Sequence, residues 1–220
     1  MKAFDEHMGV AMPLPEDNIN TDVIIPSREM RTVSKSGLAD GLFAPWRYLD
    51  PDSREENPSF AMNKAAYRDA SILIAGKNFG CGSSREHAVW ALMEAGFRVV
   101  IAESFATIFY NNALRNGLLA IALDRRLIDA LAAPVRDSGA VDVLSVNLTD
   151  QTISAGAMVV RFDIDSDAKE MLLEGMDEIS LTQRNALLIE AFERRDRENR
   201  PWIYLNDYLS VAITPSDTSR

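Results

Sequence analysis

The sequence predicts an α/β fold built on a mixed sheet, with parallel crossover units first and an antiparallel meander after them. Apolar runs of strand length at 71–75 (SILIA), 98–102 (RVVIA) and 118–123 (LLAIAL) alternate with segments of helical apolar spacing, the pattern of parallel strand–helix–strand crossovers. After Gly139 the pattern changes to short alternating stretches at 141–148, 152–154 and 158–164, separated by turn residues, as in a meander with one wetter face. At 220 residues and 47% hydrophobic content the chain can bury a substantial core, and a single domain over 1–205 with a partly disordered tail over 206–220 is expected.

Taken in order, residues 8–12 are an apolar run closed by Pro13 and Pro15, a strand followed by a turn. The polar cluster 17–22 leads to the apolar triplet Val23-Ile24-Ile25, stopped by Pro26, and by residue type alone Asp22 is a turn or cap residue. Residues 37–62 read as a long irregular connection; its Leu42, Phe43, Trp46, Tyr48 and Leu49 are too apolar for a free linker, so part of it packs on the body. A short helix at 61–67 leads into the strand at 71. Further on, Ser104 caps a helix that runs to about Asn116 with Gly117 at its end, and Asp124 caps another through Arg136. Asp165 or Ser166 starts a helical turn ended by Gly175. Ser180 and Gln183 have capping-box spacing for a long helix over 181–197, whose Leu187, Leu188, Ala191 and Phe192 mark a packed face.

Composition excludes several function classes. The formal charge is −10 (23 basic against 33 acidic residues), with no basic stripe, so nucleic acid is a poor partner and an anionic ligand must meet a local positive site. The apolar runs are too short to span a bilayer and the N-terminus lacks a signal-peptide pattern, so a cytoplasmic protein is expected. One cysteine and two histidines cannot by themselves hold an iron–sulfur cluster or a structural zinc.

Most of the residues able to do chemistry fall in 76–88 (GKNFGCGSSREHA), a strand-to-helix turn with three glycines. It is not a dinucleotide fingerprint, because Arg85 stands where G-x-G-x-x-G needs its last glycine. It is not a P-loop, because Lys77 lies at the wrong end, and it is not a hydrolase elbow, because Glu86 follows Ser84 at the position of the second glycine. What remains is an anion site at a helix N-terminus, with Arg85 as a planar, permanently charged fork suited to a carboxylate. Ser83 and Glu86 have capping-box spacing, so one serine can end the helix and leave the other hydroxyl available. Cys81 reads as a small packed residue and His87 as a structural histidine; a Cys81–His87 hydrolase is the weakest reading.

With those residues in hand, the chain resembles the small-subunit family of 3-isopropylmalate dehydratases, relatives of the swivelling domain of aconitase. The resemblance is carried by Asn78-Phe79-Gly80-Cys81-Gly82-Ser83-Ser84-Arg85-Glu86-His87-Ala88, by Ser104-Phe105-Ala106-x-Ile108-Phe109-Tyr110-Asn111-Asn112 with Asn116-Gly117-Leu118-Leu119, and by Asn20-Thr21-Asp22-Val23-Ile24-Ile25-Pro26. A weaker match lies at Leu181-Thr182, and the similarity spans about 4–197.

The resemblance implies a three-layer β/β/α swivelling domain and a hydro-lyase of leucine biosynthesis, active only with a separate large subunit. That subunit would carry a [4Fe-4S] cluster as the Lewis acid for the departing hydroxyl, with none bound by this chain alone. It further implies Ser83 as the base that removes the proton α to a carboxylate. Ser84 and Arg85 would bind substrate, and Asp22, Glu86 and His87 would orient them. Residues 29–32, with Arg31 and Thr32 as substrate-binding candidates, lie where relatives discriminate the variable side group. Arg31 suits a carboxylate-bearing group while Met30 and Val33 suit an isopropyl pocket, which leaves homoaconitase-, citramalate- and dimethylmaleate-type substrates open. A stand-alone carboxylate-binding module is the alternative from another class.

Overall fold

The computed structural model describes residues 1–30, 34–50, 52–83, 85–137 and 143–204. In chain order the elements are β1 (Glu6–Leu14), α1 (Thr21–Ile24), α2 (Ala44–Arg47), β2 (Tyr48–Asp50), β3 (Glu55–Glu56), β4 (Ala70–Ala75), α3 (His87–Glu94), β5 (Val99–Ala102), α4 (Thr107–Asn116), β6 (Leu119–Ala122), α5 (Arg125–Asp137), β7 (Val143–Asn147), β8 (Thr152–Ala155), β9 (Met158–Arg161), α6 (Ser166–Glu174), α7 (Glu178–Gln183) and α8 (Ala186–Asn199). Two compact units result, Met1–Asp177 and Glu178–Arg220.

The first unit is organised by one mixed sheet in the order β6-β5-β4-β1-β7-β8-β9. The β6-β5-β4-β1 half is parallel, and β1-β7-β8-β9 is antiparallel. β1 serves both halves. Its residues 6–10 pair with β7 and its residues 10–14 with β4, and the register shifts between Val10 and Ala11 where one pairing hands over to the other. Pro13 lies beyond the β7 pairing, where its missing N–H costs no antiparallel ladder bond.

Both faces of the parallel half are covered, which explains why its strands are continuous apolar runs. Leu73, Ala75, Val100 and Ala102 point to one core shared with Ala88, Val89 and Leu92 of α3, Phe109 and Ala113 of α4, and Leu42 and Phe43 of the long connection. Ile72, Ile74, Val99 and Ile101 point to the other, shared with Ile128 and Leu131 of α5, Leu172 of α6, and Leu144, Val146 and Ile153 of the meander. The sheet curls so that the meander and the parallel strands enclose this second core together.

Several local expectations are corrected. Val23-Ile24-Ile25 does not stand alone as an apolar run: Thr21–Ile24 is a helical turn capped by Asn20, whose side chain accepts from the Val23 N–H at 2.9 Å. The helix expected at 61–67 is two 3₁₀ turns; of the apolar residues in the long connection, Leu42 and Phe43 are buried as expected while Leu49 is exposed. Ser104 does not cap α4; the N-cap is Ala106, and the Ser104 hydroxyl accepts from the Asn78 N–H at 2.9 Å instead. In the second unit the predicted single helix is divided between α7 and α8, with Ser180 inside α7. Leu187, Leu188 and Phe192 of α8, expected as a packed face, are exposed. The tail at 206–220 lies outside the described residues.

Candidate active site

Parallel strands send their following loops to the same end of the sheet, and three such loops meet here. Residues after β1, β4 and β5 are joined by main-chain bonds. The Gly80 N–H donates to the Ile19 carbonyl (2.8 Å), the Thr21 N–H to Cys81 (2.8 Å), the Phe79 N–H to Ser104 (2.9 Å) and the Ala106 N–H to Phe79 (3.0 Å). Side chains add to this, with Asn78 Nδ2 donating to Asn18 Oδ1 at 2.8 Å and the buried Thr21 hydroxyl donating to the Ser83 carbonyl at 2.7 Å. The three sequence segments that carry the family resemblance, far apart in the chain, are thus one structure.

The turn is seated on aromatic rings. Phe79 is buried, edge-on to Phe105 and Phe109 at centroid distances of 6.2 and 5.1 Å. Gly80 has φ +75°, and a Cβ placed there would run into the Phe109 ring. Both the backbone sign and the close approach therefore require glycine.

On this seat Ser83 is exposed, and among the described residues no partner takes its hydroxyl. The predicted capping box with Glu86 is not formed. α3 begins at His87, with Glu86 as N-cap and no side-chain cap bond. The Ser83 carbonyl is held by Thr21 and by the Arg85 N–H (2.7 Å), and the Glu86 carboxylate is drawn to Asn116 Nδ2 (2.7 Å). Competition for the serine oxygen between capping and chemistry is thereby removed for Ser83.

Arg85 Nη1 donates to Asp22 Oδ1 at 2.5 Å, an ion pair whose side chains are 28% and 55% exposed. Asp22 thus lies against the guanidinium. One pairing engages only part of a five-donor group, so the rest of the fork remains available to a carboxylate. His87 lies against Trp90, ring centroids 4.8 Å apart, in a packing position. Cys81 is half-buried with its thiol directed to the Asn18 carbonyl at 3.5 Å. Ser84, Arg31 and Thr32 lie outside the described residues.

The chain bordering 31–33 is anchored on both sides. Before it, the Glu29 carboxylate, 7% exposed, pairs with Arg54 at 2.5 Å, and Met30 packs against the first core. After it, the N–H groups of Gly37, Leu38 and Ala39 donate to the Glu94 carboxylate at 2.6, 2.5 and 3.0 Å. These bonds, that from Gly37 foremost, hold the Glu94 carboxyl below its ordinary range. Thr21, Phe109 and Asn116 were quoted for the resemblance without a role; only the tertiary contacts show what they touch.

A [4Fe-4S] cluster needs three or four thiolates, and this chain has one cysteine. Among the described residues no group of three His, Cys, Asp or Glu side chains is placed to hold a metal ion, so the donors present do not fit the cluster. No helix among the described residues is long and apolar enough to cross a membrane.

Residues 1–126 match the aconitase C-terminal domain family. The chain is 49% identical over 207 residues to the 3-isopropylmalate dehydratase small subunit of Cupriavidus necator, covering 94% of this chain and all of that one. It is 46% identical over 203 residues to the protein of the same name from Mesorhizobium japonicum, covering 92% of this chain and all of that one. A crystal structure of 3-isopropylmalate dehydratase from Methanocaldococcus jannaschii superimposes with a TM-score of 0.59 at 26% identity, over 84% of this chain and 98% of that one. With three distant segments joined at one end of the sheet and relatives matched over nearly their whole length, the chain belongs to the 3-isopropylmalate dehydratase small-subunit family, within the aconitase C-terminal domain family.

Proposed function

We propose that this chain, joined to a large subunit, interconverts 2-isopropylmalate and 3-isopropylmalate in the cytoplasm by dehydration and rehydration through isopropylmaleate. The observation that carries the reading is the exposed Ser83 on a turn immobilised from three loops, next to an arginine oriented by Asp22. Ser83 Oγ, as the alkoxide, takes the proton from the carbon α to a carboxylate. The electron pair of that C–H bond forms the double bond as hydroxide leaves the neighbouring carbon. Rehydration returns the proton from Ser83 to one carbon and the hydroxyl to the other. A serine hydroxyl is a weak base at neutral pH, so its alkoxide needs a fixed cation close by, and Arg85 is that group on this reading. Arg85 also grips a substrate carboxylate, and Asp22 keeps the fork in one orientation.

The cluster and the acceptor for hydroxide belong to the large subunit on this reading, which agrees with the donor set of the chain. Ser84, Arg31 and Thr32 complete the substrate contacts. The test is reconstitution with a cluster-loaded large subunit. The isolated chain is expected to be inactive and the complex active, and Ser83→Ala is expected to lower kcat by about 10²–10⁴-fold. A Ser83→Ala complex with full activity refutes the base assignment.

A further inference from the structure

We propose that Asn116 is a positioning residue for the reaction: by holding Glu86 and Trp90 together it fixes the first turn of α3, and with it Ser83 and Arg85, against α4. This rests on the reading of Ser83 and Arg85 above. The Asn116 amide is fully engaged. Its Nδ2 donates to Glu86 Oε1 at 2.7 Å and to the Asn112 carbonyl at 2.9 Å, and its Oδ1 accepts from Trp90 Nε1 at 3.0 Å and Lys35 Nζ at 3.3 Å.

The geometry of these bonds is that of a rotational lock. Glu86 and Trp90 are four residues apart and lie on one face at the start of α3, so one residue that bonds to both sets the rotation of that helix about its axis. The bond to the Asn112 carbonyl, one turn back on its own helix, fixes the Asn116 side chain in turn. Lys35 Nζ also stands 5.1 Å from the centroid of the Trp90 ring, tying in the chain just after 31–33. α4 therefore supports the turn at two points on one face, two helical turns or about 10 Å apart. One is Phe109 under Gly80, and the other is Asn116 at Glu86. Glu86 sits next to Arg85 in sequence, so a change in its anchorage reaches Arg85 through one peptide unit and Ser83 through three.

The experiment exchanges donor and acceptor across this link in the reconstituted complex. Asn116→Asp keeps an acceptor for Trp90 and Lys35, but it puts a carboxylate against Glu86 and loses the donor. Adding Glu86→Gln restores one hydrogen bond with its polarity reversed, while the Asn112 bond is lost in both variants, so the comparison isolates the link to Glu86. Asn116→Asp is expected to lower kcat by about 10²-fold, with KM and the thermal midpoint of the complex near those of the parent. The double variant, Asn116→Asp with Glu86→Gln, is expected to recover most of that loss. An unchanged kcat in Asn116→Asp, a double variant no better than Asn116→Asp alone, or a kcat loss matched by an equal loss of folded complex each overturns the proposal. Ser83→Ala is measured alongside: if it stays active while the exchange still rescues Asn116→Asp, the base assignment fails and the positioning link stands.

Discussion

The two halves of the sheet share β1 and a core, yet all the placed candidate site residues belong to one of them. In the parallel half, β1, β4 and β5 run the same way, so the segments that follow them emerge together and stitch into one turn. In the antiparallel half, successive strands reverse, and the connections of β7, β8 and β9 fall at alternate ends, where no three loops can meet. Parallel pairing is the device that gathers residues 18–22, 78–83 and 104–106. The meander contributes apolar area, with Leu144, Val146 and Ile153 fully buried.

Substitutions in the two halves are expected to separate activity from stability. The largest effect is expected for Gly80→Ala, where a left-handed backbone and overlap with Phe109 together cost about 4 kcal/mol. Denaturant unfolding should show the loss, and any folded fraction should be impaired in turnover. Next, Ile153→Ala in the meander is expected to cost about 3 kcal/mol through the cavity it leaves, while kcat per folded complex stays at the parent value. A selective loss of kcat there breaks the division. Arg85→Lys exchanges a planar fork for a point charge and is expected to raise KM by an amount equivalent to about 2 kcal/mol, with the unfolding midpoint unchanged.

The smallest effect concerns Glu94. Its carboxyl is depressed in the folded state by the Gly37, Leu38 and Ala39 N–H groups. Its contribution to stability is therefore fully present above the ordinary glutamate value and is lost as pH falls through the lower folded value. Acid titration of the unfolding midpoint should show a difference between the parent and Glu94→Gln that shrinks in that window. A constant difference across it refutes the assignment.

Much of this was legible in the chain itself. The runs at 71–75, 98–102 and 118–123 became β4, β5 and β6 because strands buried on both faces need apolar residues without interruption. The alternation after Gly139 became the meander, and Asp165 and Gly175 became the N-cap and left-handed C-cap of α6 as their types suggest. Two of the caps that failed share one cause. Ser104 and Glu86 carry the right groups for local caps, but each group also has a distant suitor. The Asn78 N–H takes the Ser104 hydroxyl, and Asn116 takes the Glu86 carboxylate. Local spacing cannot reveal such competition, because it depends on which strands lie side by side.

The sequence by itself determined the glycine turn, its serine and arginine, the shortage of cluster ligands and the order of strands and helices from β4 to α6. These follow from residue type and spacing, which act within a few residues along the chain. The tertiary structure alone decided that Asp22 faces Arg85, that Phe109 lies under Gly80, that Ser83 is left uncapped and that Asn116 grips Glu86. Those contacts join residues between 29 and 63 positions apart, and only the parallel pairing of β1, β4 and β5 brings them within hydrogen-bonding reach.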